Sequence, residues 1–481
     1  MIAGSATRAS LLRSADQVLV TDASGARTGS DIDVAVDRLA RQLTEKVTIG
    51  GSVGLWAWNS AELLVAHLAA ERAGISRIPV DPEAPEPEVR AIMAKAHVEL
   101  MIVDSEHGAD WAVEQILLSG TVWSGAEGEA CAAVEVEESD VAIQIVRGIV
   151  NGELLAIPLS VANWDAHMAL ARELFESGAY GAMRTDKLYY LTTQQMQYGT
   201  GLLGTFPFVR MGYPQYIVRR FDPDLVADAV IEHGASVTFM VPGMITRLAD
   251  HLRPKKPAGW KLQILYGGAP FPLSDMLSAM EVLGTSLTQL YGRFEGGWPL
   301  TILSSRDHSN IAAGDHAMAS SCGRQVPGVQ LDLRDLTGSG STELRVRSDC
   351  VSSAFADPDG WCALGDLATI DTKGYYHLAG RVDGMINTGS FHVYPDEVEV
   401  ALRDEFPGLV SVKVSARPDE RWGQAVCAEM SWAAESDVPS RSEFRARMAP
   451  RLAKYKVPSI CEHEVQGRAV QLAKTLTHES C

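Results

Sequence analysis

The sequence predicts an α/β fold: a large N-terminal domain of α/β subdomains plus a β-rich subdomain, then a small α+β C-terminal domain. Three observations predict it. Helix and strand signals alternate from Asn59 to Tyr291 at the spacing of strand–helix–strand units, which calls for a largely parallel sheet with helices on its faces. After about residue 320 short strands punctuated by Gly and Asp take over. From Tyr394 onward helix and strand mix again in a compact stretch. A chain of 481 residues fits about three domains or subdomains and can bury several cores without disulfides or metals.

The elements follow in order. Asn59 is placed to cap a helix whose third position is Glu62, with Leu63, Leu64, His67, Leu68 and Ala70 inward and Gly74 as its stop. Ile78-Pro79-Val80 then reads as a buried strand. Asp222 caps a second helix, Pro223 takes its first position, Leu225, Val226, Ala229 and Val230 form its stripe, and Gly234 ends it. Strands are expected at Val237 to Val241, Lys261 to Tyr266 and Ser286 to Tyr291, with a helix from Ser274 to Leu283. The β-rich part holds Leu331 to Arg334, Glu343 to Val346, Ala368 to Ile370 and Tyr375 to Ala379. The last part has a helix over 395–404, strands at Val410 to Ser415 and Ala425 to Trp432, and a basic helix over 440–454. The expected domains are 1–381 and 382–481, with the boundary near Arg381 to Asp383.

Charge and cysteine usage narrow the function. Lys and Arg number 42 against 61 Asp and Glu, a net charge of −19. That field repels nucleic acid and anionic membranes, so neither is an expected partner. Seven cysteines, odd in number and without a C-x-x-C pair, read as reduced thiols in a cytoplasmic protein rather than a zinc or disulfide framework. No apolar run reaches the roughly 20 residues of a membrane span.

Several motifs stand in a fixed order. They are Tyr266-Gly267-Gly268-Ala269-Pro270, Tyr291-Gly292 through Glu295, Gly365-Asp366-Leu367 and Gly380-Arg381-Val382-Asp383-Gly384. Val393-Tyr394-Pro395 through Glu399 and Arg417-Pro418-Asp419-Glu420-Arg421-Trp422-Gly423 follow. Asp366 reads as lying in a turn after Trp361-Cys362-Ala363-Leu364. Alone, Asp366 and Arg381 would pass for surface residues, and Gly267-Gly268 for a tight turn. As an ordered set spanning nearly the whole chain, they resemble the adenylate-forming superfamily of acyl-CoA synthetases, peptide-synthetase adenylation domains and luciferases. The resemblance implies a mobile small domain and gives the residues roles. Asp366 would accept from both ribose hydroxyls of an adenylate, a charge-assisted contact, with Arg381 beside it. Gly267, Gly268 and Ala269 would seat the adenine, and Tyr291, Gly292 and Glu295 would complete the adenylate site. Glu295 stands at the usual magnesium ligand; no dedicated metal site is expected, and the need for magnesium stays open. Asp383 would be the hinge between two small-domain poses. Gly389, Ser390 and Phe391 would line the coenzyme A pantetheine path in the second pose; an ordinary Gly-Ser turn is the alternative. Gln195, Tyr198, Gly199 and Gly201 would border the acyl pocket, with Met196 and Tyr198 equally readable as core. Arg441, Arg445, Arg447, Arg451, Lys454 and Lys456 could meet coenzyme A phosphates or form a solvated helix face.

One motif departs from the family. After the strand Asp140 to Val146, the phosphate loop, roughly [YF]-T-S-G-T-T-G-x-P-K-G, is replaced by Arg147-Gly148-Ile149-Val150-Asn151-Gly152-Glu153-Leu154-Leu155-Ala156, and Asn163 downstream stays in register. A triphosphate of about four negative charges needs hydroxyl and amide donors and a cation. Here Gly148, Val150 and Asn151 hold the hydroxyl positions, Leu155 the lysine position, and Glu153 adds negative charge. Losing three charge-assisted contacts costs on the order of 5 kcal/mol, a factor of about 10³ or more. Phe294 replaces the motif's threonine, Asn387 replaces a lysine, and Lys474 lies one residue off the position of the adenylating lysine.

The losses fall on triphosphate handling and the retained residues on the nucleoside and thiol side. The sequence thus resembles the non-adenylating acyl-CoA ligases, such as those of platensimycin and platencin biosynthesis, which take a preformed acyl-AMP from a separate adenylating enzyme. The expected substrates are acyl-AMP and coenzyme A, with a diterpenoid acid as one candidate. A complete ATP-dependent synthetase with an atypical loop, and a catalytically silent adenylate-binding regulator or scaffold, are the competing readings. Fixing φ at the hinge with Asp383→Pro should impair acyl transfer; full activity of that variant in a thioester assay would show that rotation there is unnecessary.

Overall fold

Short polar side chains frame the helices. Thr28, Ser160, Ser304 and Ser440 each form a reciprocal capping box with the residue three positions on, Asp31, Asn163, Asp307 and Glu443 respectively. Each box satisfies backbone N–H groups that the first turn leaves unpaired. Asp222 caps as expected, accepting from Asp224 N and Leu225 N ahead of the helix Pro223–Ile231. The earlier cap falls one residue later than expected. Ser60, not Asn59, accepts from Leu63 N at the head of the helix Ala61–Arg72. Asn59 is instead spent on a distant segment, donating to Gln194 O at 2.8 Å and accepting from Met196 N at 2.9 Å.

The computed structural model describes residues 1–108, 111–124, 130–150, 153–181, 188–335, 342–382, 384–389, 391–419, 422–433, 438–465 and 468–470. By internal contacts the chain forms two compact units. The first comprises Met1–Pro82, Lys95–Val146 and Ala156–Val382; the second comprises Glu83–Ala94, Arg147–Leu155 and Asp383–Cys481. Residues 83–94 and 147–155 thus group with the second unit although they precede the expected boundary.

The first unit is built on a nine-stranded sheet. Its centre is parallel, running from Val18–Asp22 through Gln215–Ile217, Tyr190–Thr192, Val237–Met240 and Gln263–Tyr266 to Leu287–Arg293. Gly297–Leu303 and Arg324–Gln325 extend one edge antiparallel. Helices Pro223–Ile231, Pro242–Leu252 and Leu273–Leu283 bury Val226, Ile245, Leu248 and Met276 in a core with Ile264 and Tyr266 of the sheet. This is the strand–helix alternation expected from the sequence, with boundaries moved by a residue or two. A second sheet is six-stranded and includes Ser52–Trp56, Ser76–Pro79, Val141–Val150 and Glu153–Ser160. The β-rich part is a four-stranded antiparallel sheet, Gln330–Asp335, Thr342–Arg347, Cys362–Ile370 and Tyr376–Arg381. Among the described residues no helix is long and apolar enough to cross a membrane, and Cys131, Cys322, Cys350, Cys362 and Cys427 are buried and in no disulfide.

The second unit wraps the helices Pro395–Glu405 and Arg441–Met448 around a sheet of six strands, centred on the paired Leu409–Asp419 and Gly423–Trp432. The basic helix is shorter than expected and ends at Met448. Val398, Leu402, Phe406, Trp432, Phe444 and Met448 share one core, each large side chain contributing about 1.5–3 kcal/mol by burial. Lys456 is sunk in this unit, its side chain only 4 % exposed, bonded to Glu88 at 2.5 Å and Glu397 at 3.2 Å. Burial alone would pull its pKa down, but the Glu397 and Glu88 carboxylates more than offset that and hold it above the ordinary lysine value. Lys456→Ala would strand two carboxylates together and should cost about 3–5 kcal/mol, read as a lower denaturant midpoint.

Candidate active site

The parallel strands of the first unit end on a common edge, the usual place for ligands in such sheets. The strand Gln263–Tyr266 runs out into the turn Gly267-Gly268-Ala269. A Cβ on Gly267 would lie 2.2 Å from Leu290 O, and Gly268 sits at φ 83°, so neither position accepts another residue without strain. Tyr266 turns inward, its hydroxyl 2.8 Å from His308 Nε2, while Gly268 in the turn is exposed. One strand further, Leu287–Arg293 carries Tyr291 and Gly292. A Cβ at Gly292 would stand 2.6 Å from Gly297 O, so this glycine lets two strands close.

Asp366 meets Tyr291 and Arg381 from two further strands. The sequence suggested a turn at Asp366, but it lies within the strand Cys362–Ile370, directly opposite Arg381 in the antiparallel register. The pairing is irregular on both sides, shifting between Glu343 and Arg345 and between Leu367 and Ala368, and Gly365 adopts φ 71°. These irregularities aim the carboxylate off the regular ladder. Arg381 Nη1 donates to Asp366 Oδ1 at 2.7 Å, and the Tyr291 hydroxyl donates to Oδ2 at 2.7 Å. Burial, and then the Asp366 charge, push the Tyr291 phenol well above its usual value, so it remains a donor. Each carboxylate oxygen keeps further lone-pair capacity, enough to accept from a vicinal diol. The carboxylate is buried yet paired, the condition under which a charge tolerates burial.

Glu295 is also paired. Arg293 donates to its Oε1 from Nε at 2.8 Å and approaches it with Nη2 at 2.7 Å; the two side chains are 8 % and 7 % exposed. A magnesium ion on that oxygen would sit within about 4 Å of a fixed guanidinium, a repulsion on the order of 8 kcal/mol for a dication at an effective dielectric of about 20. The residues present do not fit a magnesium ion at Glu295. The sequence reading missed Arg293, although its signal was visible: a guanidinium two residues before the carboxylate.

The phosphate-loop segment is drawn into a sheet. Among the described residues one strand runs to Val150 and another begins at Glu153, neighbours in the six-stranded sheet; Asn151 lies outside the described residues. Gly148, at φ 61°, is covered by Tyr394, whose Cδ2 would lie 2.0 Å from a Cβ there. Gly152 and Lys474 lie outside the described residues. Asn163, in register with the family, serves structure: it closes a capping box with Ser160 and donates to Asp349 O and Val351 O, both at 2.9 Å.

The acyl-pocket residues differ from a roomy wall. Gln195 is half-buried and tied down, donating to Arg219 O at 2.8 Å and accepting from Asn59 N at 3.3 Å. Met196 is fully buried core. The place of a Cβ on Gly201 is filled by Gln195 O, 1.9 Å away, and that on Gly199 by the Phe294 ring at 3.0 Å. The glycines therefore serve tight packing, and Phe294 closes on the start of the helix Gly199–Met211. Tyr198 is half-buried just ahead of that helix.

In the second unit, Gly389 adopts φ 59°, donates its N–H to Trp422 O at 2.9 Å and has the Trp422 ring where a Cβ would go. Phe391 stacks on Tyr455 with centroids 4.2 Å apart. Asp383 and Ser390 lie outside the described residues. The basic residues divide. Arg447 and Arg451 pair with Glu405 and Lys456 is buried, while Arg441, Arg445 and Lys454 are exposed. The buried thiols are not candidate nucleophiles: burial pushes Cys322 up to about 11 and Cys350 and Cys362 up to about 12, so they stay protonated at neutral pH.

Comparison with known proteins names the class to which this α/β chain, with its buried and paired Asp366, belongs. The profile of the AMP-binding enzyme family matches residues 8–146 and 156–354, and the chain belongs to that family. It is 32% identical over 240 residues to the medium/long-chain-fatty-acid–CoA ligase FadD8 of Mycobacterium tuberculosis, covering 46% of this chain and 40% of that one. Against such curated relatives the chain spans about half their length. The 2-succinylbenzoate–CoA ligase of Lactococcus lactis is 22% identical over 437 residues, 90% of each chain. The solved amide bond synthetase McbA of Marinactinospora thermotolerans shares the fold, with a TM-score of 0.83 and 24% identity over 95% of each chain. Asp366→Ala should weaken AMP binding about tenfold to a hundredfold with an unchanged circular dichroism spectrum; unaltered affinity by calorimetry would remove Asp366 from the ribose site.

Proposed function

We propose that this chain is an acyl-CoA ligase confined to the second half-reaction, transferring the acyl group of a preformed acyl-adenylate to the thiol of coenzyme A and releasing AMP. The observation that carries the reading is a contrast within the AMP-binding framework. Asp366, Arg381 and Tyr291 form a clamp suited to a ribose diol, whereas the described residues of the phosphate-loop segment, 147–150 and 153–156, lie in strands, with Gly148 covered by Tyr394. An acyl-adenylate carries one phosphate charge and needs no cradle for a pyrophosphate. The similarity to named CoA ligases supports coenzyme A as the acceptor.

In the proposed step the thiolate sulfur bonds to the acyl carbon and the bond from that carbon to the phosphate oxygen breaks. AMP leaves with the electron pair, and the thiol proton passes to solvent. AMP is a good leaving group, so the task of the protein is to position the carbonyl and exclude water. Gly267, Gly268 and Ala269 offer main chain to the adenine, Asp366 and Arg381 hold the ribose, and Gln195 and Tyr198 border the acyl group, with Phe294 narrowing that side. Gly389 and Phe391 belong to the pantetheine side, and Asp383 serves as the hinge. Adenylate supply then falls to a separate adenylating enzyme, and a polycyclic diterpenoid acid is among the acids to test.

The test offers the purified chain two routes to thioester. One supplies ATP, magnesium, acid and coenzyme A; the other supplies synthetic dodecanoyl-AMP, benzoyl-AMP or the adenylate of a polycyclic diterpenoid acid with coenzyme A. Thioester is expected by mass from an adenylate and not from ATP. Pyrophosphate appearing in step with thioester would make the chain a complete synthetase. Failure with every adenylate that binds would favour a silent adenylate-binding regulator.

A further inference from the structure

Burying Glu295 requires a countercharge, and the position it occupies is one where the family resemblance implies a metal ion. Here the countercharge is part of the chain. Arg293 Nε and Nη2 lie 2.8 and 2.7 Å from Glu295 Oε1. The turn that joins them is braced on every side. A Cβ on Gly292 would meet Gly297 O at 2.6 Å, one on Gly296 would meet Leu364 Cδ2 at 2.4 Å, and Gly297 sits at φ 116°. Ser352 N also donates to Glu295 O at 2.9 Å. The main chain therefore holds Arg293 against Glu295, one residue beyond Gly292 and two beyond Tyr291, whose hydroxyl reaches Asp366.

We propose that Arg293 is a built-in replacement for the divalent cation, a positioning residue that neutralises Glu295 so that the site takes an adenylate without magnesium. This rests on the adenylate-site reading given above. Asp366 with Arg381 and Glu295 with Arg293 cancel pairwise, so a single phosphate enters a pocket without net negative charge. A guanidinium is permanently charged, planar and fixed in place. Unlike a metal ion, it cannot arrive with a triphosphate. Metal independence is then a consequence of this one residue, separate from the changes in the phosphate-loop segment. Without Arg293, the Glu295 carboxylate would repel the phosphate, and an added cation would relieve that repulsion.

The probe is AMP, titrated by calorimetry into the full chain in EDTA and in magnesium chloride. The wild type should give dissociation constants within about twofold of each other. Arg293→Gln should weaken AMP in EDTA about tenfold or more. Magnesium should recover most of that loss, and the double variant Arg293→Gln/Glu295→Gln should recover it without metal. A purely structural Arg293 would leave neither form of rescue. Wild-type binding that tightens several-fold with magnesium, or no AMP binding in either buffer, would overturn the proposal. So would an Arg293→Gln loss that ignores both magnesium and Glu295→Gln. Thermal melts report folding of the variants, and the wild-type comparison stands even if Arg293→Gln fails to fold. Failure of the half-reaction reading looks different: ATP-driven thioester with pyrophosphate would refute it while leaving metal-independent AMP binding intact.

Discussion

A buried carboxylate persists only where its charge is answered, and Asp366 is answered twice. Arg381 reaches Oδ1 and Tyr291 reaches Oδ2, each at 2.7 Å. The three residues come from different strands, so their meeting depends on the antiparallel register that sets Asp366 opposite Arg381. It depends equally on the strand Leu287–Arg293 ending beside the β-rich sheet of the same unit. Slipping that register by one residue would turn the carboxylate to the other face and remove the polar centre of the site. The glycines around it follow from the same crowding, because Gly267 and Gly292 stand where neighbouring main chain leaves no room for a side chain.

The charges near that centre are arranged in closed pairs. Arg293 is committed to Glu295 as Arg381 is to Asp366. In the segment that would have to supply positive charge and free amides to a triphosphate, the described residues 147–150 are strand, and Glu153 is exposed at the start of the next. Electrostatic stabilisation of phosphoryl groups works through donors held ready for charge, and this part of the chain has exchanged them for apolar side chains and ladder bonds. On the proposed reading the exchange suits a substrate that arrives already activated.

The basic residues near the C-terminus show how composition can mislead. Counted along the sequence they form a positive stretch; in three dimensions Lys456 lies between Glu397 and Glu88, and one carboxylate, Glu405, holds both Arg447 and Arg451. These pairs are formed by residues dozens to hundreds of positions apart, which no local pattern reveals. Asn59 illustrates the same point: its spacing to Glu62 imitates a helix cap, yet the side chain bridges Gln194 and Met196.

Local chemistry in the sequence determined much of this protein. Asp222-Pro223 and Gly234 bracket a helix because capping, a fixed φ and a left-handed glycine act within a few residues. The alternation of strands and helices determined the parallel sheet, and the ordered motifs determined the family and the candidate residues Asp366, Arg381 and Tyr291. Tertiary structure alone decided which charges meet and which glycines are roomy or filled. Asp366 proved to be in a strand rather than a turn because its pairing partners lie on other strands. Gly199 and Gly201 proved packed because the Phe294 ring and the main-chain oxygen of Gln195 take the space beside them. Arg293 was legible as a residue but not as a partner, since only a closed turn of fixed geometry brings its guanidinium to 2.7 Å from Glu295. Propensity and capping act over a few positions, whereas charge neutralisation depends on distances that only the folded chain sets.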